Sequence, residues 1–139
     1  MGVDLPAWAG AYVGIPFKTH GRDRSGLDCW GLIELVQREQ LGGHWPQYEG
    51  ADWFAGQSPE VVATDAVIHT THFTRLPEGQ EQMGDGILIR MRGFPFHVGL
   101  VLAPGRMLHT TEEAGSVIEN YRSMLWTHRM MGFYRYTAQ

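Results

Sequence analysis

The sequence predicts one α+β domain, in which helices from the first half pack against an antiparallel sheet formed by the second half. Apolar residues recur at helical spacing in the first half, whereas the second half consists of short apolar runs separated by Gly and Pro. The chain of 139 residues is 43% hydrophobic and contains no repeat, low-complexity tract or linker-like stretch. We therefore expect residues 1–139 to share a single core.

The first predicted element is a short helix near the N-terminus. Asp4 can cap this helix, Pro6 suits its first turn, and it is expected to run to about Val13. Residues 14–27 contain three glycines and a proline, so they are predicted to form a loop.

A second helix begins at Cys29, because apolar residues follow there at the i, i+3, i+4 and i+7 positions of one helix face: Cys29, Leu32, Ile33 and Val36. The Gly-Gly pair that starts at Gly42 is predicted to end it. Residues 44–57 have no clear period and are predicted to be irregular. A third helix is predicted from Ser58, which suits a helix start, to about His69.

The second half is predicted to form a sheet of about five or six strands. Five of them follow from apolar runs of strand length, at about 86–91, 96–102, 107–111, 115–119 and 129–136. Pro104 and Gly105 mark a hairpin between the second and third of these strands. The segment 121–126 is predicted to be a short helical or looped crossover.

Cys29 is the only cysteine of the chain, and it stands where the loop gives way to the second helix. A lone thiol cannot form an internal disulfide, and a free Cys is most often a small buried apolar residue. At a helix N-terminus, however, the positive end of the helix dipole favours a thiolate, which is the nucleophilic form. A thiolate at this position could attack a carbonyl, while the N–H of Cys29 donates to the resulting oxyanion.

Two histidines in the predicted strands could act with this thiol. His97 shares a strand face with Gly99, which leaves room beside the imidazole, and His109 follows twelve residues later across the hairpin. If residues 104–106 form the loop, Ala103 pairs with Met107 and the two histidines share a face. A two-residue loop would place them on opposite faces, because a one-residue slip inverts a strand. With a shared face, His97 is the base for Cys29 and His109 orients His97.

Charge and composition exclude other classes of function. A formal net charge of -4 and a pI near 5.9 argue against a nucleic-acid partner. No apolar run is long enough to span a bilayer, and the N-terminus lacks the features of a secretory signal, so we expect synthesis in the cytoplasm and no membrane insertion. His69 and His72 could share a helix face with Asp65 around a metal, but His is common at helix ends for dipole reasons. We therefore predict no metal and no cofactor.

Four short motifs in this order resemble those of the NlpC family of papain-like cell-wall cysteine peptidases: Asp28-Cys29-Trp30-Gly31-Leu32, Gly84-Asp85, His97-Val98-Gly99 and His109. The resemblance extends from about Pro16 to Arg135. It implies a papain-like fold, in which a helix that carries the cysteine packs on an antiparallel sheet that carries both histidines. It also implies hydrolysis of an amide in the peptidoglycan stem peptide, without a metal.

Within that family, the chain is similar to the peptidases of phage tails and gene transfer agents. Such proteins often have Trp after the cysteine, here Trp30, and they lack a signal peptide and attached wall-binding domains. The resemblance implies phage-like tail-tip or baseplate proteins as partners. It also implies that the protein is a virion component, made in the bacterial cytoplasm, that acts in the periplasm or cell wall.

The resemblance also implies four substrate contacts. Many family members have Tyr twelve residues before the cysteine, whose hydroxyl helps to bind the oxyanion, and Phe17 stands there in this chain. Trp30 replaces a small Ser. His20 lies in the loop that leads to the nucleophile and can line the substrate groove. Asp28 can cap the second helix or bind the amine of the substrate, and capping is the favoured role.

Three rival functions remain open. A structural tail-tip component with the same fold and weak or no activity is favoured by Phe17, which has no hydroxyl. A thiol acyltransferase or thioesterase could use the same nucleophile. A binding module could instead use the aromatic residues of the segment 45–54 to hold wall fragments.

Overall fold

The computed structural model describes residues 4–19, 21–43, 73–91 and 94–136 of the chain. These residues form an α+β structure with a six-stranded antiparallel sheet and few helices, which confirms the predicted fold class. The predicted irregular stretch 44–57 and the third predicted helix lie outside the described residues. The elements are, in chain order, β1 (Arg22–Asp23), β2 (Gly26–Leu27), α1 (Cys29–Val36), β3 (Phe73–Leu76), β4 (Gly86–Met91), β5 (Phe94–Ala103), β6 (Arg106–Thr111), β7 (Gly115–Asn120), α2 (Met124–Thr127) and β8 (Met130–Tyr136).

The helix predicted near the N-terminus is wrong. The structure has a single 3-10 turn there, Ala9–Tyr12, whose N-cap makes no side-chain hydrogen bond. A glycine within the turn disfavours a longer helix, and tertiary contacts hold the segment instead. The Ser116 hydroxyl donates to the carbonyl of Tyr12 at 2.6 Å and accepts from the N–H of Ile15 at 2.8 Å. The segment is therefore tied to β7 rather than stabilised by its own helical bonds.

The loop predicted over residues 14–27 contains the short hairpin β1–β2 at its end. Arg22 pairs with Leu27 in this hairpin. On its other side, Leu27 forms an isolated parallel bridge with Phe17. The chain before α1 is thus folded against itself, and this fixes where the helix begins.

Helix α1 is bounded by a side-chain cap and a left-handed residue, as predicted. The Asp28 carboxylate accepts a 2.7 Å hydrogen bond from the N–H of Gly31. The helix continues as one π-helical turn, Gln37–Leu41, and ends at Gly42 with φ of 65°. A Cβ at Gly31 would stand 2.2 Å from the carbonyl oxygen of Gly21, so only glycine permits this approach.

The six-stranded sheet has the order β3–β8–β4–β5–β6–β7, and all neighbours are antiparallel. The five predicted strands are present, with ends that differ by at most two residues from the prediction. The sixth, β3, was not predicted and pairs with β8 at the edge. The predicted crossover at 121–126 leads into the short helix α2. In the described ranges, no helix has both the length and the apolar character that a bilayer crossing requires.

The two faces of the sheet contribute to different cores. One face packs on α1 and on the N-terminal segment, through side chains that include Val98, Leu100 and Leu108. The other face packs around α2, through side chains that include Val101 and Met107. Because neighbouring strand residues point to opposite faces, His97 and His109 share the face of Val101 and Met107.

The hairpin between β5 and β6 differs from the predicted one. Its turn has two residues, Pro104 and Gly105, and Ala103 pairs with Arg106 rather than with Met107. A β-bulge between Val101 and Ala103 then adds the missing residue, so that Val101 pairs with Met107 and the histidines share a face after all. The predicted loop was wrong, whereas the predicted common face of the two histidines is confirmed.

Candidate functional site

The sheet opens between β5 and β6 at the point where α1 begins. The pairing of these strands ends at Leu100 and Leu108, although β5 continues to pair with β4 and β6 with β7. Val101 exchanges hydrogen bonds with the chain just before β4, at 2.9 Å to the N–H of Gly84 and at 2.8 Å to the carbonyl of Asp85. Backbone groups alternate sides along a strand, so the N–H of Val98 points the other way, into the opening.

The thiol of Cys29 occupies this position. Only 4% of the residue is exposed, and the backbone N–H groups of Val98 and Trp30 are near enough to the thiol to act on its pKa. Because Val98 follows His97 directly, the N-terminus of α1 brings the thiol to the edge of β5 beside the first histidine.

The two histidines are joined by a hydrogen bond. Nε2 of His97 lies 2.7 Å from Nδ1 of His109, and the two residues are 3% and 0% exposed. His109 stands opposite Val117 in the β6–β7 ladder, which holds it in register while β5 diverges. The pair leaves Nδ1 of His97 outside the histidine–histidine bond, as the base of a thiol requires.

A third polar group, Glu119, completes this chain of contacts. Its Oε2 lies 2.5 Å from Nε2 of His109, and its side chain is one-third exposed on β7. Sequence reasoning did not identify this residue. The sequence places Glu119 at the end of the predicted strand 115–119, but its position on the same face as His109 follows only from the observed register, in which Val117 is the partner of His109.

Trp126 of α2 covers both imidazoles. Its indole lies nearly parallel to the ring of His97, at 21° and 6.5 Å between centroids, and nearly perpendicular to the ring of His109, at 87° and 4.9 Å. The indole Nε1 is buried and makes no hydrogen bond among the described residues. The guanidinium carbon of Arg129 lies over the indole ring, 5.6 Å from its centroid. This cover excludes water from the histidine pair.

Burial makes the neutral forms of the Cys29 thiol and the His97 imidazole the stable ones. It raises the pKa of Cys29 to about 12, and the neighbouring Asp28 carboxylate adds to the effect, while the Val98 and Trp30 N–H groups and Arg22 oppose it. Burial, and then the adjacent His109, lowers the pKa of His97 to about 3. The sequence predicted a lowered thiol pKa at the helix N-terminus. That expectation is wrong for this structure, because the cost of desolvation exceeds the favourable effect of the helix dipole.

The pKa of His109 is set by opposing effects. Burial lowers its pKa, whereas the hydrogen bond and the negative charge of Glu119 act to raise it. The result is a pKa below the ordinary value, so that His109 is also neutral near pH 7.

Asp28 lies directly before Cys29 and is completely buried. Its Oδ1 accepts from the N–H of Gly31 and from Nη1 of Arg22, both at 2.7 Å. Its Oδ2 has no hydrogen-bond partner among the described residues. The predicted capping role is confirmed, and the second oxygen leaves one acceptor on the carboxylate.

The other predicted substrate contacts are placed as follows. Trp30 is buried in the core between the sheet and α1. Its ring packs edge-to-face with that of Phe73, with 6.1 Å between the ring centroids. Phe17 is partly buried and bridges to Leu27, two residues before the thiol. His20 lies outside the described residues. Tyr12 does not supply the hydroxyl that Phe17 lacks, because its OH donates at 2.7 Å to Glu39, near the opposite end of α1.

Within the described ranges, no group of three His, Cys, Asp or Glu residues has an arrangement that could hold a metal ion. His69, His72 and Asp65, the candidates from the sequence, lie outside those ranges.

The chain matches the NlpC/P60 family over residues 14–135. It is 23% identical to the murein DD-endopeptidase MepS/murein LD-carboxypeptidase of Escherichia coli K12 over 118 residues. The match covers 84% of this chain and 53% of that protein. An NlpC/P60 family protein from Bacillus cereus ATCC 10987 shares the fold with a TM-score of 0.66 at 18% identity, over 98% of this chain and 42% of the other.

A second solved structure, a lipoprotein-like member of the NLP/P60 family from Staphylococcus aureus Mu50, superposes with a TM-score of 0.63 at 20% identity, over 93% of this chain and 39% of the other. The chain thus spans about half the length of the E. coli relative. The family match covers most of the chain, including α1, β5 and β6, and the chain belongs to the NlpC/P60 family.

Proposed function

We propose that this protein is a cysteine peptidase that hydrolyses an amide bond in peptidoglycan stem peptides, with Cys29 as nucleophile, His97 as base and His109 as the residue that orients the base. The observation that carries the proposal is the 2.7 Å bond between His97 and His109, together with a thiol at the N-terminus of α1 that is influenced by the N–H of Val98, the residue after His97. The name of the E. coli relative, a murein endopeptidase, supports the substrate class.

The reaction begins with transfer of the Cys29 proton to Nδ1 of His97. Because both groups are neutral in the closed site, this transfer is coupled to the attack on the carbonyl rather than completed beforehand. The thiolate sulfur forms a bond to the carbonyl carbon, and the oxygen takes the negative charge. The backbone N–H of Cys29 is the expected donor to that oxygen.

Collapse of this intermediate breaks the carbon–nitrogen bond. The leaving amine takes the proton from His97 and departs, which leaves a thioester on Cys29. A water molecule then gives one proton to His97 and attacks the thioester carbon. His97 returns this proton to the sulfur as the acid product leaves, so the site is restored.

Four residues are proposed to contact the substrate. Oδ2 of Asp28 is buried without a described hydrogen-bond partner, and it is the proposed acceptor for a substrate amine. Phe17 and Trp30 are proposed to shape the groove by apolar contact. His20 is proposed to line the groove from the loop before β1.

The test compares the wild type with Cys29→Ala on purified peptidoglycan, with released muropeptides identified by mass spectrometry. Cleavage by the wild type alone is the expected result, and the fragment masses then identify the bond. Ala is small enough for the buried site, so loss of activity without loss of the folded state assigns the thiol. Cleavage by both proteins would exclude the thiol mechanism.

We also propose that the protein is carried on a phage-like tail tip, with tail-tip or baseplate proteins as partners, and acts in the periplasm or cell wall. This proposal rests on the resemblance to tail-associated peptidases, including Trp30 after the nucleophile. The test is mass spectrometry of purified particles from the source bacterium, together with immunogold labelling. Label at the tail tip is expected, and absence of the protein from intact particles would contradict the proposal.

A structural component with the same fold is the second candidate. The buried thiol and Phe17, which cannot supply a hydroxyl to the oxyanion, favour it. It predicts particles that assemble and infect equally well with Cys29→Ala. The peptidase predicts normal assembly and impaired entry for the same variant.

A further inference from the structure

We propose that Glu119 is a positioning residue that sets the proton positions of both histidines and thereby selects Nδ1 of His97 as the base. The inference rests on the proposed peptidase function and adds a positioning residue to the three proposed catalytic residues. It is carried by two contacts in series, from Glu119 Oε2 to His109 Nε2 and from His109 Nδ1 to His97 Nε2.

The proton positions follow from what each atom can donate. A carboxylate only accepts hydrogen bonds, so Nε2 of His109 must carry the proton that lies between it and Glu119. A neutral His109 then has no proton on Nδ1, and this atom accepts from His97. The proton between the two rings therefore belongs to Nε2 of His97.

The last step concerns the base itself. A neutral His97 with its proton on Nε2 has a bare Nδ1, which is the lone pair that a thiol proton needs. If His109 instead carried its proton on Nδ1, this proton would point at Nε2 of His97, which would have to accept it. His97 would then carry its own proton on Nδ1, and the base would be blocked.

The position of Glu119 suits this role. The β6–β7 ladder runs without a register shift from Arg106 to Thr111, and it places Glu119 diagonally across from His109 on the same face. The two histidines are almost completely buried, whereas the carboxylate is one-third exposed. Glu119 therefore acts from the solvent side of the histidine pair, through His109 and without contact with the substrate.

The experiment uses Glu119→Gln, which keeps the size of the side chain but lets the amide either accept or donate. Glu119→Asp keeps an acceptor-only group one methylene shorter. Glu113→Gln is the matched control, because it removes an exposed carboxylate from the turn just before β7.

Nitrogen-15 NMR of histidine-labelled protein at pH 7 measures the tautomers, and muropeptide release measures kcat and KM. Urea unfolding verifies that each variant is folded.

In the wild type, we expect both His97 and His109 to carry the proton on Nε2. Glu119→Gln is expected to redistribute these tautomers and to lower kcat by about 10²–10⁴-fold with little change in KM, because a wrong tautomer disables the base but not binding. Glu119→Asp is expected to restore the tautomers and at least part of the lost kcat. Glu113→Gln should match the wild type.

Two results would overturn the inference. One is a wild type in which His97 carries its proton on Nδ1, and the other is a folded Glu119→Gln protein that retains both wild-type tautomers. The NMR result does not depend on activity. If the wild type fails to hydrolyse peptidoglycan, the proposed function fails by itself and the tautomers still decide the role of Glu119.

Discussion

Arg22 and Asp28 form a salt bridge beside the start of α1, with 2.7 Å between Nη1 and Oδ1. The same carboxylate caps α1 through the N–H of Gly31. The two charges act on the Cys29 thiol with opposite signs: Asp28 raises its pKa and Arg22 lowers it. One ion pair therefore both fixes the start of the helix and sets part of the electrostatic environment of the thiol.

The first prediction concerns the charge of Asp28. Asp28→Asn keeps an oxygen that can cap α1 but removes the negative charge, so the pKa of Cys29 is expected to fall from its value of about 12. Below the pKa, each unit of this fall raises the thiolate fraction about tenfold. At pH 8, we expect iodoacetamide to alkylate Cys29 faster in Asp28→Asn than in the wild type, and more slowly in Arg22→Gln than in the wild type. Asp23→Asn, which removes an exposed carboxylate of the same hairpin, is the control, and equal rates in all four proteins would contradict the prediction.

The second prediction concerns acid stability. The folded-state pKa of His97 is about 3, below the ordinary value of 6.5, so at intermediate pH the unfolded chain binds a proton that the folded protein does not. The free energy of unfolding therefore falls as the pH drops from 6.5 towards 3, by up to about 1.4 kcal/mol per pH unit for this group. Urea unfolding between pH 7 and pH 4 should show a shallower dependence in His97→Gln. The same change at the exposed His128 should leave the wild-type slope, and parallel curves for wild type and His97→Gln would refute the assignment.

The third prediction concerns a buried hydrogen bond under the second core. The Tyr121 hydroxyl donates to the Glu81 carboxylate at 2.6 Å, and both residues are buried. A double-mutant cycle with Tyr121→Phe and Glu81→Gln is expected to give a coupling energy of about 1–3 kcal/mol at pH 7, because the bond is charge-assisted.

The same pair predicts a dependence on pH. Burial raises the pKa of Glu81, but the bond from Tyr121, the backbone N–H groups and Arg122 outweigh burial and hold the pKa below 4.5. The stabilisation is thus complete above pH 4.5 and is lost as the pH falls through the lower folded-state pKa. The coupling energy should shrink at pH 3, and a coupling near zero at pH 7 would show that the bond contributes nothing to stability.

The fourth prediction compares two glycines with positive φ. Gly115 has φ of 70°, and a Cβ there would stand 2.7 Å from the carbonyl oxygen of Ile15, whereas Gly79 has φ of 89° and open space around it. Gly79→Ala should cost about 1–2 kcal/mol for the left-handed conformation alone. Gly115→Ala should cost about 1–3 kcal/mol more, because the N-terminal segment must move. Thermal or urea unfolding measures both, and equal losses would mean that the contact with Ile15 is relieved easily.

The spacing of apolar residues predicted the elements correctly wherever the pattern was compatible with only one type of secondary structure. The apolar stripe of α1 and the alternating runs of β4 to β8 were recognised because each buries a continuous face. The N-terminal helix was predicted wrongly because a cap and a Pro also suit a 3-10 turn held by Ser116. The edge strand β3 has four residues and carries too short a pattern to be recognised.

The histidine pair could be predicted from spacing, but its surroundings could not. Burial of Cys29 and His97 depends on how α1 and α2 close over the sheet, and this burial reverses the expected direction of the thiol pKa. Glu119 was missed because its contact with His109 depends on the register of β7, which the turn before it did not specify.

Because of the bulge between Val101 and Ala103, the common face of the two histidines does not depend on the length of the hairpin turn. If one of the existing strand residues belonged to the turn instead and the bulge were absent, Val101 would still lie opposite Met107. Relatives could therefore exchange a two-residue turn for a three-residue turn, provided that the strand changes in compensation. The number of residues between His97 and His109 is thus under stronger physical constraint than the shape of the turn that joins their strands.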